Sequence, residues 1–184
     1  TWFEVRVSEA GHMGRRGGVD MMVAMNPQTW DRDLAEIEPG GYLLYDSTRP
    51  MPPTAFRDDV QVIGVPLTQI TNDAYSDPRQ RQLFKNIVYV GVLSVLLDMD
   101  VSVFEKLFAE QYKGKERLLG ANLQALQIGR DHVAQHLKAP LGIRVRRADA
   151  VGSRIFTDGN SAAALGCVYG GATVAAWYPI TPSS

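Results

Sequence analysis

Cysteine is almost absent: Cys167 is the one copy in 184 residues. A lone thiol excludes an internal disulfide and any Fe–S or zinc site made from this chain's cysteines alone. It sits among small residues in "AAALGCVYGG", where it reads as a small buried hydrophobe rather than a reactive thiol. Histidine is nearly as scarce, with three copies. Charge of one sign is lacking too: 19 Lys and Arg face 20 Asp and Glu, for a net charge of −1. That balance argues against a nucleic-acid footprint and against a polybasic membrane surface. The longest apolar run, Ile87 to Leu97, is too short to span a bilayer and reads as a core helix. With no secretory leader pattern visible, the expected compartment is cytoplasmic.

Apolar content, by contrast, is ample: 45% of the residues are hydrophobic, enough for a sizeable core. Trp2 to Val7 alternates from Val5 onward and predicts a half-buried strand. After the glycine-rich "SEAGHMGRRGG", "VDMMVAM" at 19–25 predicts a more buried strand. Asn26-Pro27 signals a helix start, because Asn caps free amides and Pro suits the first helical position. Trp30, Leu34 and Ile37 then share a helical face that "EPGG" ends, and "YLLYD" at 42–46 is the next strand. Strand, short helix and strand in so few residues predict a parallel βαβ crossover.

"VQVIGV" at 60–65 predicts a further buried strand. Asp77-Pro78 opens a long helix with Leu83, Ile87, Val90 and Ser94 along its stripe. Ser102 and Glu105 form a capping box for the next helix, which Lys113-Gly114 stops. Another helix carries Leu119, Leu123, Leu126, Val133 and Leu137, and "GIRVRR" at 142–147 reads as a last strand. The expected fold is a three-layer α/β/α domain over residues 1–148. Residues 149–156 read as a connector. Residues 157–184 read as the first helix and strand of a second α/β domain, with Gly170-Gly171 as C-cap and a strand ending at Tyr178. The abrupt beginning and end suggest a segment of a longer chain.

The final stretch, "WYPITPSS", carries the sharpest candidate chemistry. Thr181-Pro182 fits a helix start, which leaves two readings open. One is an ordinary strand-to-helix turn. The other is an anion site, since a helix N-terminus beyond a strand's carboxyl end presents free amides, here with a Thr hydroxyl. Tyr178-Pro179-Ile180 would then form a stiff wall.

Other residues carry less. Asp158-Gly159-Asn160 superficially looks like a metal-and-diphosphate motif, but it lacks the leading glycine and the spacing, so a helix N-cap is expected. His132 and His136 are four apart and could share a helix face, yet no further ligand set accompanies them, and no metal site is expected. Arg15-Arg16 beside Gly17-Gly18, and Arg144, Arg146 and Arg147, have the chemistry to meet phosphates, with solvated surface or subunit contact as the default. Arg79, Arg81 and Lys85 read the same way.

"YPITPSS", preceded by "GNSAAALGCVYGGATVAAW", resembles the opening of the α domain of 2-oxoacid:ferredoxin oxidoreductases of the 2-oxoglutarate and pyruvate type. "TWFEVRVS", "VDMMVAMNPQT", "PGGYLLYDST", "RQLFKNIVYVGVL" and "YKGKERLLGANLQAL" resemble the γ domain of chains in which γ is fused ahead of α. The resemblance implies CoA-dependent oxidative decarboxylation of a 2-oxoacid on thiamine diphosphate, with electrons passed through [4Fe–4S] clusters to ferredoxin. It implies that Thr181 is the catalytic and substrate-binding residue, holding the substrate carboxylate, with Tyr178 beside it. Pro179 and Ile180 would line the thiamine pocket. It further implies a hetero-oligomer in which a β subunit carries the clusters and most of the thiamine diphosphate and Mg²⁺ contacts, CoA serves as co-substrate, and this piece alone is inactive. The fused layout favours 2-oxoglutarate.

Two other readings compete. A non-catalytic α/β assembly module would leave Thr181 as a helix cap only. A nucleotide-binding Rossmann domain would need a G-x-G-x-x-G after a strand, and none follows any predicted strand.

Overall fold

The computed structural model describes residues 3–12, 14–176 and 178. They divide into two units, residues 15–147 and the pair of segments 1–14 and 148–184. In the larger unit the element order is β1 (Val19–Ala24), α1 (Trp30–Ala35), β2 (Ile37–Asp46), β3 (Gln61–Val65), α2 (Leu67–Ala74), α3 (Pro78–Leu96), α4 (Val101–Gln111) and α5 (Glu116–His136). The strands form a parallel sheet in the order β1-β2-β3. Apolar residues on both faces are what a covered parallel sheet requires. Leu44 and Val65 face a core shared with Leu67, Phe84, Val88, Val92, Leu96, Ala125 and Val133 from α2, α3 and α5. Ala24 and Leu43 pack with Ile37 and Val60, covered by Trp30, Leu34 and Phe56. The result is the expected α/β/α layering, with a thin layer on the α1 side.

The two proline signals act as read. Asn26 accepts from the Gln28 amide at 3.1 Å, ahead of a single 3-10 turn (27–29) that leads into α1. Asp77 accepts from the Arg79 amide at 2.9 Å and caps α3.

Other boundaries move. Ile37 opens β2 instead of closing α1, and "EPGG" lies within the strand as a bulge, where the register slips between Val19↔Ile37 and Met21↔Tyr42. Glycine is required there: Gly40 has φ of +80°, and a Cβ on Gly41 would lie 2.8 Å from the Ile37 side chain and 3.0 Å from the Asp20 carbonyl. Asp100, not Ser102, caps α4, accepting from the Ser102 amide at 3.0 Å and its hydroxyl at 2.7 Å. A carboxylate two positions earlier wins the cap because it accepts both donors at once. The buried stripe of α3 runs through Phe84, Val88, Gly91 and Val92, whereas Leu83 is 67% exposed.

"GIRVRR" forms no strand. Its backbone, with Leu141 before it, instead serves the end of α3: the Leu141 amide donates to the Leu96 carbonyl and the Val145 amide to the Leu97 carbonyl, both at 2.8 Å. Those carbonyls have no partner within their own helix, so the segment satisfies them. Asp98 ends α3 with φ of +53°, in a turn closed by the Met99 amide on the Ser94 carbonyl at 2.8 Å. Its carboxylate meets Arg144 at 3.4 Å and Arg146 at 3.6 Å. Asp98→Ala should therefore lower stability by about 1 kcal/mol, since Ala lacks the polar side chain that eases a left-handed residue, while Asp98→Gly should be close to neutral. Urea midpoints of the two variants check this.

In the second unit α6 (Gly159–Tyr169) forms as expected. Asp158 is its N-cap, accepting from the Ser161 amide at 2.9 Å and hydroxyl at 2.6 Å. At its C-terminus Gly171, with φ of +91°, donates to the Val168 carbonyl, and Ala172 donates to Cys167. The strands expected at 2–7 and 173–178 are not formed among the described residues. Val5 is 83% exposed and Val174 84%, so neither segment has the neighbour that a strand needs. Cys167, expected to be buried, is exposed.

Candidate functional site

Of the residues singled out near the end of the chain, Thr181, Pro179 and Ile180 lie outside the described residues, and Tyr178 is 78% exposed. The described residues do place a polar cluster where ligand chemistry in open α/β sheets collects, beyond the carboxyl ends of the strands. β2 ends in Asp46-Ser47-Thr48, and β3 ends at Val65, followed by Pro66 and the first turn of α2.

Asp46 is the centre of that cluster. Its Oδ1 accepts from the Thr48 hydroxyl at 2.7 Å, the Thr48 amide at 3.1 Å and the Thr68 amide at 3.3 Å. Its Oδ2 accepts from the Thr68 hydroxyl and pairs with Lys85 Nζ at 2.6 Å. Lys85 also donates to the Thr68 hydroxyl at 2.7 Å, and the Gln69 amide donates to Thr48 Oγ1 at 3.0 Å. Burial alone would raise the Asp46 carboxyl; the hydrogen bonds from Lys85, Thr48 and Thr68 outweigh it and hold the group well below the usual carboxylate range.

The local sequence explains the arrangement. An Asp followed by Ser-Thr at a strand end closes an Asx turn, with the carboxylate bonding the amide two residues on. α2 begins after Pro66, which has no side chain to cap it, and the Thr68 and Gln69 amides are satisfied by β2 instead. The cluster is thus charge-neutral and its donors are engaged. It ties β2, α2 and α3 together and leaves no activated base or nucleophile. The composite was missed in the sequence because its partners lie 22 and 39 positions apart by number, Asp46 with Thr68 and Lys85; the legible part was "YDST" alone.

Several other candidates are engaged as well. Arg16 pairs with Asp20 at 3.1 Å, Arg81 donates to the Tyr75 carbonyl at 2.7 Å, and Arg144 and Arg146 hold Asp98. Asp158 spends both carboxylate oxygens on Ser161. The His132 and His136 rings lie 4.7 Å apart, and no group of three His, Cys, Asp or Glu gathers for a metal among the described residues. No described helix is long and apolar enough to cross a membrane.

Comparison with known proteins supplies what the geometry does not. Residues 1–132 match the family model described as pyruvate ferredoxin/flavodoxin oxidoreductase. The chain is 24% identical to the alpha subunit of 2-oxoacid:ferredoxin oxidoreductase 2 of Aeropyrum pernix, across all of this chain and 34% of that protein. It is 27% identical to the ketoisovalerate oxidoreductase subunit VorA of Methanothermobacter thermautotrophicus, across 66% of this chain and 24% of the relative. The chain therefore spans about a third or less of the length of these relatives. Among solved structures it resembles the 2-oxoglutarate:ferredoxin oxidoreductase of Magnetococcus marinus, determined with 2-oxoglutarate, coenzyme A and succinyl-CoA bound. The TM-score is 0.65 at 26% identity, covering 91% of this chain and 29% of the other. With most of its length matched by the family model, the chain belongs to the pyruvate ferredoxin/flavodoxin oxidoreductase family.

Proposed function

We propose that this chain is part of a 2-oxoacid:ferredoxin oxidoreductase that decarboxylates a 2-oxoacid oxidatively, with CoA as co-substrate and ferredoxin as acceptor. The observation that carries the reading is the agreement of the family match over residues 1–132 with a structural likeness spanning 91% of the chain. In this reading residues 1–148 are a γ-type domain, 149–156 a connector and 157–184 the start of the domain that receives the aminopyrimidine of thiamine diphosphate. The grouping of residues 15–147 as one unit supports a break near 148, while residues 1–14 group with 148–184. 2-Oxoglutarate is the favoured substrate, supported by the Magnetococcus marinus likeness.

Thiamine diphosphate, when bound, supplies the stabilised carbanion of the decarboxylation. The described residues do not fit its diphosphate and Mg²⁺: Asp158 is spent as a helix cap, and no other acidic cluster gathers. A lone, exposed Cys167 cannot hold a [4Fe–4S] cluster. Both groups are accordingly assigned to a β subunit of a cytoplasmic hetero-oligomer. This chain's own part is to bind and orient: Thr181 donates to the substrate carboxylate with Tyr178 beside it, and Pro179 and Ile180 wall the aminopyrimidine.

The test uses the full parent chain with its β subunit, wild type and Thr181→Ala, following oxoacid-dependent reduction of ferredoxin with 2-oxoglutarate and with pyruvate. Loss of a hydrogen bond to a charged group should reduce kcat/KM by the equivalent of about 1.5–3 kcal/mol with thiamine still bound. Unchanged kinetics would reduce Thr181 to a helix cap. A wild type inactive with every oxoacid would favour the assembly-module reading.

A further inference from the structure

α5 ends in a pair of imidazoles that neither its packing nor the proposed function uses. His132 and His136 lie one helical turn apart, with ring centroids 4.7 Å apart and planes inclined by 44°. We propose that His132 and His136 chelate a borderline divalent transition ion, of the Cu²⁺, Ni²⁺ or Zn²⁺ class, at the C-terminal end of α5.

The ring separation is the main observation. A metal lies about 2.0–2.1 Å from a ligating imidazole nitrogen, hence about 3.2 Å from the ring centroid. Two such rings at 90–109° about one ion have centroids roughly 4.5–5.2 Å apart on the same geometry. The observed spacing falls inside that window. Two neighbouring side chains are engaged elsewhere. Asp131 accepts from Gln127 at 2.6 Å, and Arg130 is turned to Ser94 on α3, 2.8 Å away. His136 is exposed and His132 half-buried, which leaves the remaining coordination positions to water.

Electrostatics favours the site twice. The pair occupies the last turns of α5, where the helix dipole and unpaired carbonyls favour positive charge. Burial, and then the neighbouring His136, lower the proton affinity of His132. Two imidazoles and water suit Cu²⁺ best in the first-row order, with Ni²⁺ and Zn²⁺ weaker.

The test is titration of the purified, untagged chain with Cu²⁺, and separately Zn²⁺, by calorimetry, together with electron paramagnetic resonance of the copper form. The expected result is one ion per chain bound with a micromolar Kd and a spectrum showing two nitrogen ligands. His136→Ala, at an exposed position, should weaken binding at least tenfold, as should His132→Gln; circular dichroism confirms that each variant is folded. Binding should weaken on acidification, because protons compete with the metal for ligand nitrogens. Undiminished affinity in the His136→Ala variant would overturn the proposal and place the ion elsewhere, on His12 or Cys167. A wild-type Kd above a millimolar would overturn it as well.

Discussion

Gly91→Ala should destabilise the 15–147 unit by about 3 kcal/mol or more, and Gly129→Ala should do the same, because overpacking at a backbone contact cannot be relieved by a rotamer change. These two glycines are where α3 and α5 touch. A Cβ on Gly91 would lie 2.1 Å from the Leu126 carbonyl oxygen and 3.2 Å from the Gly129 Cα. One on Gly129 would lie 2.0 Å from the Val88 carbonyl oxygen and 2.9 Å from the Val92 amide nitrogen. The obstructing atoms are backbone, so one helix must move away from the other. Val88, Val92, Leu126 and Val133, all buried around the crossing, would lose contact together. α5 contains its own control. Gly120 has nothing within 4 Å of a Cβ, and there Ala should stabilise by about 0.8–1 kcal/mol through helix propensity. The same substitution in the same helix should thus shift the urea midpoint in opposite directions, with the m-value unchanged. A Gly129→Ala variant as stable as wild type would show that the helices do not meet at these positions.

The crossing also shows what the sequence could and could not convey. Both helices were legible from periodicity and from Asp77-Pro78, and the parallel β1–α1–β2 unit from its apolar runs and the Asn26-Pro27 signal. The choice of stripe was not. α3 is apolar nearly all round from Ile87 onward, so periodicity alone does not mark its inner face. Gly91 marks it, and a glycine inside a helix reads as a weakness until the opposing backbone is known. "EPGG" misled for a related reason: Pro and Gly end helices and also make bulges, and only the pairing of Ile37 with Val19 separates the two. For the candidate site, the cap at Asp158 was legible because it is local. The Asp46 cluster was not, because Thr68 and Lys85 reach it only through the fold.

Asp46→Ala should cost about 2–3 kcal/mol, at or below the lower end of the range for breaking a buried pair, because the two side chains keep 16% and 26% exposure. Three losses coincide in that variant. Lys85 is left half-buried without its counter-ion. The Thr48 and Thr68 hydroxyls lose an acceptor. The Thr68 amide at the start of α2 becomes unsatisfied. Lys85→Met should cost less, about 1 kcal/mol, since Asp46 keeps its bonds from Thr48 and Thr68 and loses one charge-assisted partner. The inequality separates two physical pictures. A plain ion pair predicts similar losses from either side, whereas a carboxylate that caps α2 from the neighbouring strand predicts the larger loss at Asp46. The pH dependence gives a second criterion. Asp46 is held below its unfolded value, so its contribution is fully present above about pH 4 and is lost only as pH falls further. The stability difference between wild type and Asp46→Asn, from urea unfolding, should accordingly stay level from pH 5 to 8 and narrow on acidification below about pH 4. Narrowing already between pH 5 and 7 would mean that the carboxylate is not held by these donors, and equal losses for Asp46→Ala and Lys85→Met would return the cluster to a simple pair.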